Sequence, residues 1–429
     1  MNRYFLIALT SLTVCVAACT KKELLPADPF AGKPWMVDPT IPVPIQLGNT
    51  DVFAVETKAS DLEQVTSMDG VHFAVTAVPR ATLTSTPADD FAAVDSEDKL
   101  PLKGVMAEST AGTIGFLTAT GGTPVNYYYP QQGSNEERTN YSFYAYRTTT
   151  EDVDEPSAWN AGAIRTYVDF TLEPQDHNVD VLYAYSGNAA PKVVDAITYQ
   201  GYNAEFIRKG GTAPSLAFYH KAACLKFVVV AEDAAAETAL AKESGDQRNF
   251  IIKDLEIVGL YESVRLNLTG STATPQSENL LIPQPESTPT DKDTPAHWKQ
   301  VYKGNKTISP IVYNSGDGTV YGYVFIAPGK NGEFDTEPSV PKRSCPVSIR
   351  FKTVAKDAAT DDGVSTAVVD LPYPSYASSD VNGAYLPGYC YTYKIKVKSP
   401  EKFVISSSVA APFTDFTGDY LGSGDELSF

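Results

Sequence analysis

Apolar and polar residues alternate at period two along much of this chain, the spacing of half-buried strands and not of helices. In Ile41-Pro42-Val43-Pro44-Ile45-Gln46-Leu47 the four residues Ile41, Val43, Ile45 and Leu47 fall on one face. Pro42 and Pro44 cannot donate to a ladder, so this strand is expected at an edge. Gly48-Asn49 ends it, and a loop through Glu56-Thr57-Lys58-Ala59 follows. A second strand is expected over Val71 to Val78. Aromatic-rich runs predict further strands at Asn140 to Tyr146 and Asp180 to Tyr185, and Asn126 to Pro130 reads as a strand end. Glycine pairs at 121–122 and 210–211, and the acidic run 151–156, mark turns or loops.

The longest apolar run, LAFYHKAACLKFVVV from Leu216 to Val230, either starts a second domain or closes the first. Alanine-rich Ala234 to Glu243 suits a short helix. Ile251 to Leu260 and Val264 to Leu268 read as a hairpin. Residues 271–296, rich in Ser, Thr, Pro and Asp, read as an exposed loop. Strands are expected at Val320–Ile326, Val347–Thr353, Thr366–Leu371 and Tyr389–Lys398. Short strands at this spacing point to antiparallel sandwiches. After Ser399-Pro400 the alternation resumes, with Phe403, Ile405, Val409, Ala411 and Phe413 on one side.

A chain of 429 residues exceeds one ordinary core, so two domains are expected. A net charge of −18 argues against nucleic acid as a partner, because phosphate binding needs a basic surface. The N-terminus carries one basic residue, Arg3, and then an apolar run from Tyr4 through Leu12, too short for a mature membrane span. Val16-Ala17-Ala18-Cys19 resembles the lipobox of bacterial lipoproteins, which implies acylation of Cys19 and an outer-membrane anchor. That reading is preferred here to an ordinary signal peptide with an incidental cysteine.

Beyond Cys19 the mature chain would keep Cys224, Cys345 and Cys390, enough for at most one intrachain disulfide. Cys345 with Cys390 is the expected pair if one forms, and free buried thiols are at least as reasonable. The four histidines stand at 72, 177, 220 and 297, outside any zinc-protease pattern. His220 and Cys224 would share a strand face, so a metal pair is conceivable; packing in a core is the plainer reading. Acidic stretches at 357–363 and 291–293 lack the calcium-loop spacing. No catalytic residue, metal or cofactor is expected.

Several short motifs together resemble the fimbrillin family of Bacteroidales, the subunits of type V pili. They are the Cys19 lipobox, the Glu56 to Ala59 loop, Asp180-Val181-Leu182-Tyr183-Ala184, Leu216 to Ala223 and Gly388 to Ile395. The resemblance implies an all-β chain of two tandem transthyretin-like antiparallel β-sandwich domains with few short helices. The expected division is a signal peptide at 1–18, a tether and removable strand at 19–58, sandwiches at 59–212 and 213–398, and a donor strand and tail at 399–429. It implies export as a lipoprotein, a proteolytic cut and polymerisation by strand exchange with other copies or related subunits. Here the cut would fall at Lys58, with Arg80 the second choice. Relatives cut by an arginine-specific protease carry arginine in this loop, so Lys58 is a departure.

The removable strand would hold Ile41, Val43, Ile45 and Leu47, and the donor Phe403, Ile405, Val409 and Phe413. Four buried apolar side chains at about 1.5–3 kcal/mol each give roughly 6–12 kcal/mol for either strand, as an upper bound. The implied role is a structural, adhesive pilus subunit of stalk type at the cell surface, in which the chain's own strand fills the groove before cutting. The alternative is a lipid-anchored surface or tip adhesin, binding host protein or glycan, that does not polymerise. A C-terminus packed into its own domain would favour that alternative.

Overall fold

The structure, a computed structural model, describes residues 33–50, 68–94, 100–118, 122–130, 138–148, 166–172, 174, 179–240, 250–270, 280–284, 288, 290–301, 311, 313, 319–331, 342–343, 347–355, 365–372, 384–399, 402–407 and 411–412. The leader with Cys19, the loop with Lys58, the acidic stretch 357–363, and Cys345, Val409 and Phe413 lie outside them.

The first strands are β1 (Leu47–Thr50), β2 (His72–Pro79), β3 (Leu102–Thr110), β4 (Thr113–Leu117), β5 (Pro124–Val125), β6 (Tyr141–Arg147), β7 (Tyr167–Thr171), β8 (Leu182–Ser186), β9 (Lys192–Val194), β10 (Ile197–Tyr199) and β11 (Ser215–His220). Then come β12 (Ala223–Ala231), β13 (Phe250–Val258), β14 (Ser263–Asn267), β15 (Leu281–Pro283), β16 (Lys299–Gln300) and β17 (Thr319–Ile326). The last are β18 (Gly329–Asn331), β19 (Lys342–Arg343), β20 (Ser348–Ala355), β21 (Ser365–Asp370), β22 (Ala384–Tyr385), β23 (Tyr389–Ser399), β24 (Lys402–Ser407) and β25 (Ala411–Pro412). Among the described residues the α-helices are short: α1 (Pro87–Ala93), α2 (Ala204–Arg208) and α3 (Ala234–Leu240). The all-β class with few helices is thus as expected.

The architecture of the first half is not. Its sheet runs β1-β11-β8-β6-β2-β3-β4-β5, and β1 also pairs with β4, so seven strands close into a ring. A sandwich pair leaves open edges; here β1 is parallel to β11 on one side and antiparallel to β4 on the other, and that double pairing removes them. Alternation then assigns the faces. Phe73, Val75, Phe143, Ala145, Leu182 and Ala184 fill the ring. Ala74, Val78, Tyr144, Tyr146 and Tyr183, the residues between them, enter a second core outside it. Strands buried on both faces read as near-continuous apolar runs, as β6 does.

The second half is a sandwich. One sheet runs β17-β12-β23-β24, with β25 also on β23, and the other runs β16-β13-β20-β21. Leu225, Phe227, Tyr393 and Ile395 pack between them against Ile257, Ile349 and Phe351. A small sheet of β15-β14-β7 joins the halves, because β7 precedes the ring's last strands while β14 and β15 follow them.

Two sequence expectations change here. The long apolar run is two strands: β11 closes the ring and β12 enters the next sheet. Lys221 N–H on the Val181 carbonyl at 2.7 Å, and Gly388 N–H on the Ala222 carbonyl at 2.9 Å, pin the junction. The expected hairpin of 251–260 with 264–268 does not form. β13 pairs with β16 and β20, whereas β14 pairs with β15 and β7. Gly259, at φ +86, turns the chain from one sheet to the other.

Candidate functional site

The site built around the N-terminal segment begins at a short 3₁₀ turn, Pro34–Met36, which seats Trp35 in the ring's core. At Asp38 the chain folds on itself. Thr40 donates from both its backbone N–H and its hydroxyl to Asp38 Oδ1, at 2.8 and 2.7 Å. Those bonds, the hydroxyl's first, hold the Asp38 carboxyl below the usual aspartate range.

From there the segment runs into the ring wall. Tyr129 N–H donates to the Val43 carbonyl at 3.0 Å and Ile45 N–H to the Tyr127 carbonyl at 2.8 Å. These bonds use the odd-numbered residues, so the missing N–H groups of Pro42 and Pro44 face away and cost no ladder bond. Beyond Leu47 the strand gains its second neighbour: Gly48 N–H donates to the Pro214 carbonyl at 2.9 Å and Asn49 N–H to the Gly112 carbonyl at 3.1 Å. Val43, Ile45 and Leu47 are buried at 0, 4 and 2 % exposure, and Ile41 packs half-buried beside them. The alternation read from the sequence is the face the ring receives.

The opposite bracket is α2 and the chain that follows it. Asn203 caps α2, its Oδ1 accepting Phe206 N–H at 2.7 Å. Gly210 and Gly211 close it, donating to the Ile207 and Phe206 carbonyls at 3.0 Å each. Phe206 and Ile207 enter the ring's core, which turns Arg208 toward the N-terminal segment. Its Nη1 donates to the carbonyls of Trp35 (2.7 Å) and Asp38 (3.0 Å), and its Nη2 to those of Pro39 (3.1 Å) and Ile41 (2.9 Å). One guanidinium therefore grips four carbonyls just ahead of the buried strand. Nothing in the sequence singles Arg208 out, because the carbonyls it binds lie far away in the chain.

Arg80 is buried at 8 % exposure at the end of β2. It donates to the carbonyls of Thr82 (3.2 Å), Ser85 (2.7 Å) and Gly187 and to Asn188 Oδ1 (2.7 Å), and stands 3.7 Å from the Asp90 carboxylate. A protease needs an extended, accessible backbone at its cutting site, which this folded surrounding does not offer.

At the other end of the chain, β24 folds back antiparallel on β23, pairing Ile395 with Ile405 and Val397 with Phe403. Ile405 is buried in the sandwich core and Val404 is half-buried. β25 places Ala411 beside Cys390. Within the segment expected as donor, the described strands β24 and β25 thus pair with β23 of their own sheet.

The conceivable metal pair is not brought together on one strand: His220 ends β11 and Cys224 lies in β12. His220 Nδ1 instead pairs with Asp180 Oδ1 at 2.9 Å, both side chains buried. Asp291 uses its oxygens within its own turn, accepting from Asp293 N–H, Thr294 N–H and the Thr294 hydroxyl at 3.0, 2.8 and 3.2 Å. No helix among the described residues is long and apolar enough to cross a membrane.

No family model matches the chain, and no curated protein does. Solved structures similar to it include a provisionally assigned cell adhesion protein of Bacteroides uniformis, at 12% identity over 87% of this chain and 99% of that one, with a TM-score of 0.42. A fimbrial assembly protein of Parabacteroides distasonis is similar at 10% identity over 87% and 99%, with a TM-score of 0.34. The tip fimbrial protein Mfa3 of Porphyromonas gingivalis is similar at 10% identity over 86% and 99%, with a TM-score of 0.32.

Proposed function

We propose that this chain is a non-catalytic surface fimbrial subunit supporting cell adhesion, held before assembly in a self-complemented form. The observation that carries this reading is the N-terminal segment. It closes the ring with Val43, Ile45 and Leu47 inside, and it joins β2 only through residues 51–67, which contain Lys58. A cut there would leave the strand held by non-covalent contacts alone. Its three buried side chains are worth about 1.5–3 kcal/mol each as an upper bound. The same surface, once vacant, would favour refilling by an extended strand of another copy. Such head-to-tail exchange builds an open filament. In this reading the chain reaches the surface as a lipoprotein anchored through Cys19, and Lys58 is the cutting site in preference to buried Arg80.

A second reading has its own support. β24 and β25 pair with β23 of the same chain, which suits a surface or tip adhesin that does not donate a strand. Limited trypsin treatment of the soluble chain starting at Thr20 separates the two. Mass spectrometry gives the new N-terminus, and unheated gel electrophoresis with electron microscopy gives the assembly state. A single cut after Lys58 followed by detergent-resistant oligomers is the expected result for a stalk subunit. A resistant monomer, or a cut without polymer, overturns the stalk role and leaves the adhesin.

A further inference from the structure

Cys224 and Cys390 lie far apart in the sequence and meet in the sheet. β12 and β23 are parallel and in continuous register from Cys224 beside Cys390 to Ala231 beside Val397. Register partners on neighbouring strands are about 4.8 Å apart and point to the same face. That separation falls within the range of roughly 4.4–6.8 Å that a disulfide spans between Cα atoms. Both side chains enter the core between the ring and the sandwich, at 1 and 7 % exposure. Both are buried free thiols here.

We propose that Cys224 and Cys390 are joined by a disulfide when the chain folds under oxidising conditions. The chemistry is thiol–disulfide exchange with an external disulfide, either a small molecule or a protein oxidant. The thiolate of one cysteine attacks that disulfide, forming a mixed disulfide and releasing one thiol. The second cysteine then attacks the protein-bound sulfur, forming the Cys224–Cys390 bond and releasing the other thiol. Two protein thiols are oxidised, one external disulfide is reduced, and the two protons end on the released thiols. Exchange requires a thiolate. Burial pushes the Cys224 thiol well up, and contact with Cys390 adds to this. The bond therefore forms while β12 and β23 are docking, before the core closes, and once enclosed it is shielded from reductants. It ties the first strand of the second half to the strand next to its C-terminal edge, the long loop for which cross-linking restricts the unfolded chain most.

The proposal stands on sheet register and is independent of the fimbrial reading. The test is to refold the full-length chain from guanidinium in an oxidised–reduced glutathione buffer, alkylate free thiols and map tryptic peptides. Residues 222–226 are expected linked to residues 357–394, with the link lost on reduction and the melting temperature several degrees higher when it is present. The link is expected to persist in Cys345→Ser and to vanish in Cys390→Ser. Mapping chain purified without reductant and never unfolded gives a second measurement that does not depend on refolding. Native chain in which Cys224 and Cys390 are both alkylated after oxidative folding, or a link from either to Cys345, overturns the proposal.

Discussion

Arg208 Nη2 donates to the Ile41 carbonyl at 2.9 Å, across 167 residues of sequence. The same guanidinium reaches Trp35, Asp38 and Pro39, so one side chain ties four carbonyls of the approach to the buried strand. Hydrogen bonds from a charged donor contribute about 1.5–3 kcal/mol, and the planar fork matters because an ammonium cannot match its geometry. Arg208→Ala is expected to cost about 2–3 kcal/mol in urea unfolding. It should also speed amide exchange in 41–50 ahead of the rest of the ring. Arg208→Lys should recover little of either. Equal exchange rates in wild type and Arg208→Ala would refute the latch.

The strand itself can be read position by position. Ile45 is buried and Ile41 half-buried, in the same apolar row. Ile45→Ala should destabilise the chain by about 2–5 kcal/mol, the usual range for emptying a core site. Ile41→Ala should cost roughly half as much, in proportion to the area it buries. Chemical denaturation of both variants measures the difference, and equal losses would mean that the face is not the one described.

Helix α1 begins with a reciprocal cap: Asp89 N–H donates to the Thr86 hydroxyl at 3.3 Å, and Thr86 N–H donates to Asp89 Oδ2 at 2.9 Å. That backbone bond, followed by the one from the Thr86 hydroxyl, lowers the Asp89 carboxyl. A depressed folded-state value means that the contribution is present above the unfolded aspartate pKa of about 3.9 and is lost as pH falls through the folded one. Thr86→Ala is expected to cost about 0.5–2 kcal/mol at neutral pH. Carboxyl NMR should show the Asp89 titration moving up. An unchanged titration would refute the cap as the cause.

Buried tyrosines set an alkaline limit. Burial pushes Tyr321 up to about 12, against the Leu255 N–H that donates to its hydroxyl. Burial raises Tyr129 and Tyr144 further. A folded value raised above the unfolded pKa of about 10 gives stability that is complete below that pH and falls as pH rises toward 12. Absorbance at the phenolate band should therefore rise in two stages, exposed tyrosines first and the buried set together with loss of near-ultraviolet dichroism. A single smooth titration with the fold intact would contradict this.

The row Ile41, Val43, Ile45 and Leu47 was legible from sequence because period-two alternation is a local signal that any half-buried strand must carry. The same holds for most strand positions, for the helix at Ala234 and for the turn at Gly210-Gly211. Long-range pairing decided the rest. Ring closure depends on β1 meeting β11 and β4 at once, and the groups that pair are backbone amides, identical in every residue. Adjacent strands 250–258 and 263–267 looked like a hairpin by proximity, yet two different cores claimed them. Arg208 and the Cys224–Cys390 neighbours left no mark in the sequence for the same reason. Their partners are fixed by where α2 falls against the N-terminal segment and β12 beside β23, and side-chain periodicity sets the face a residue points to but not the strand it will lie beside.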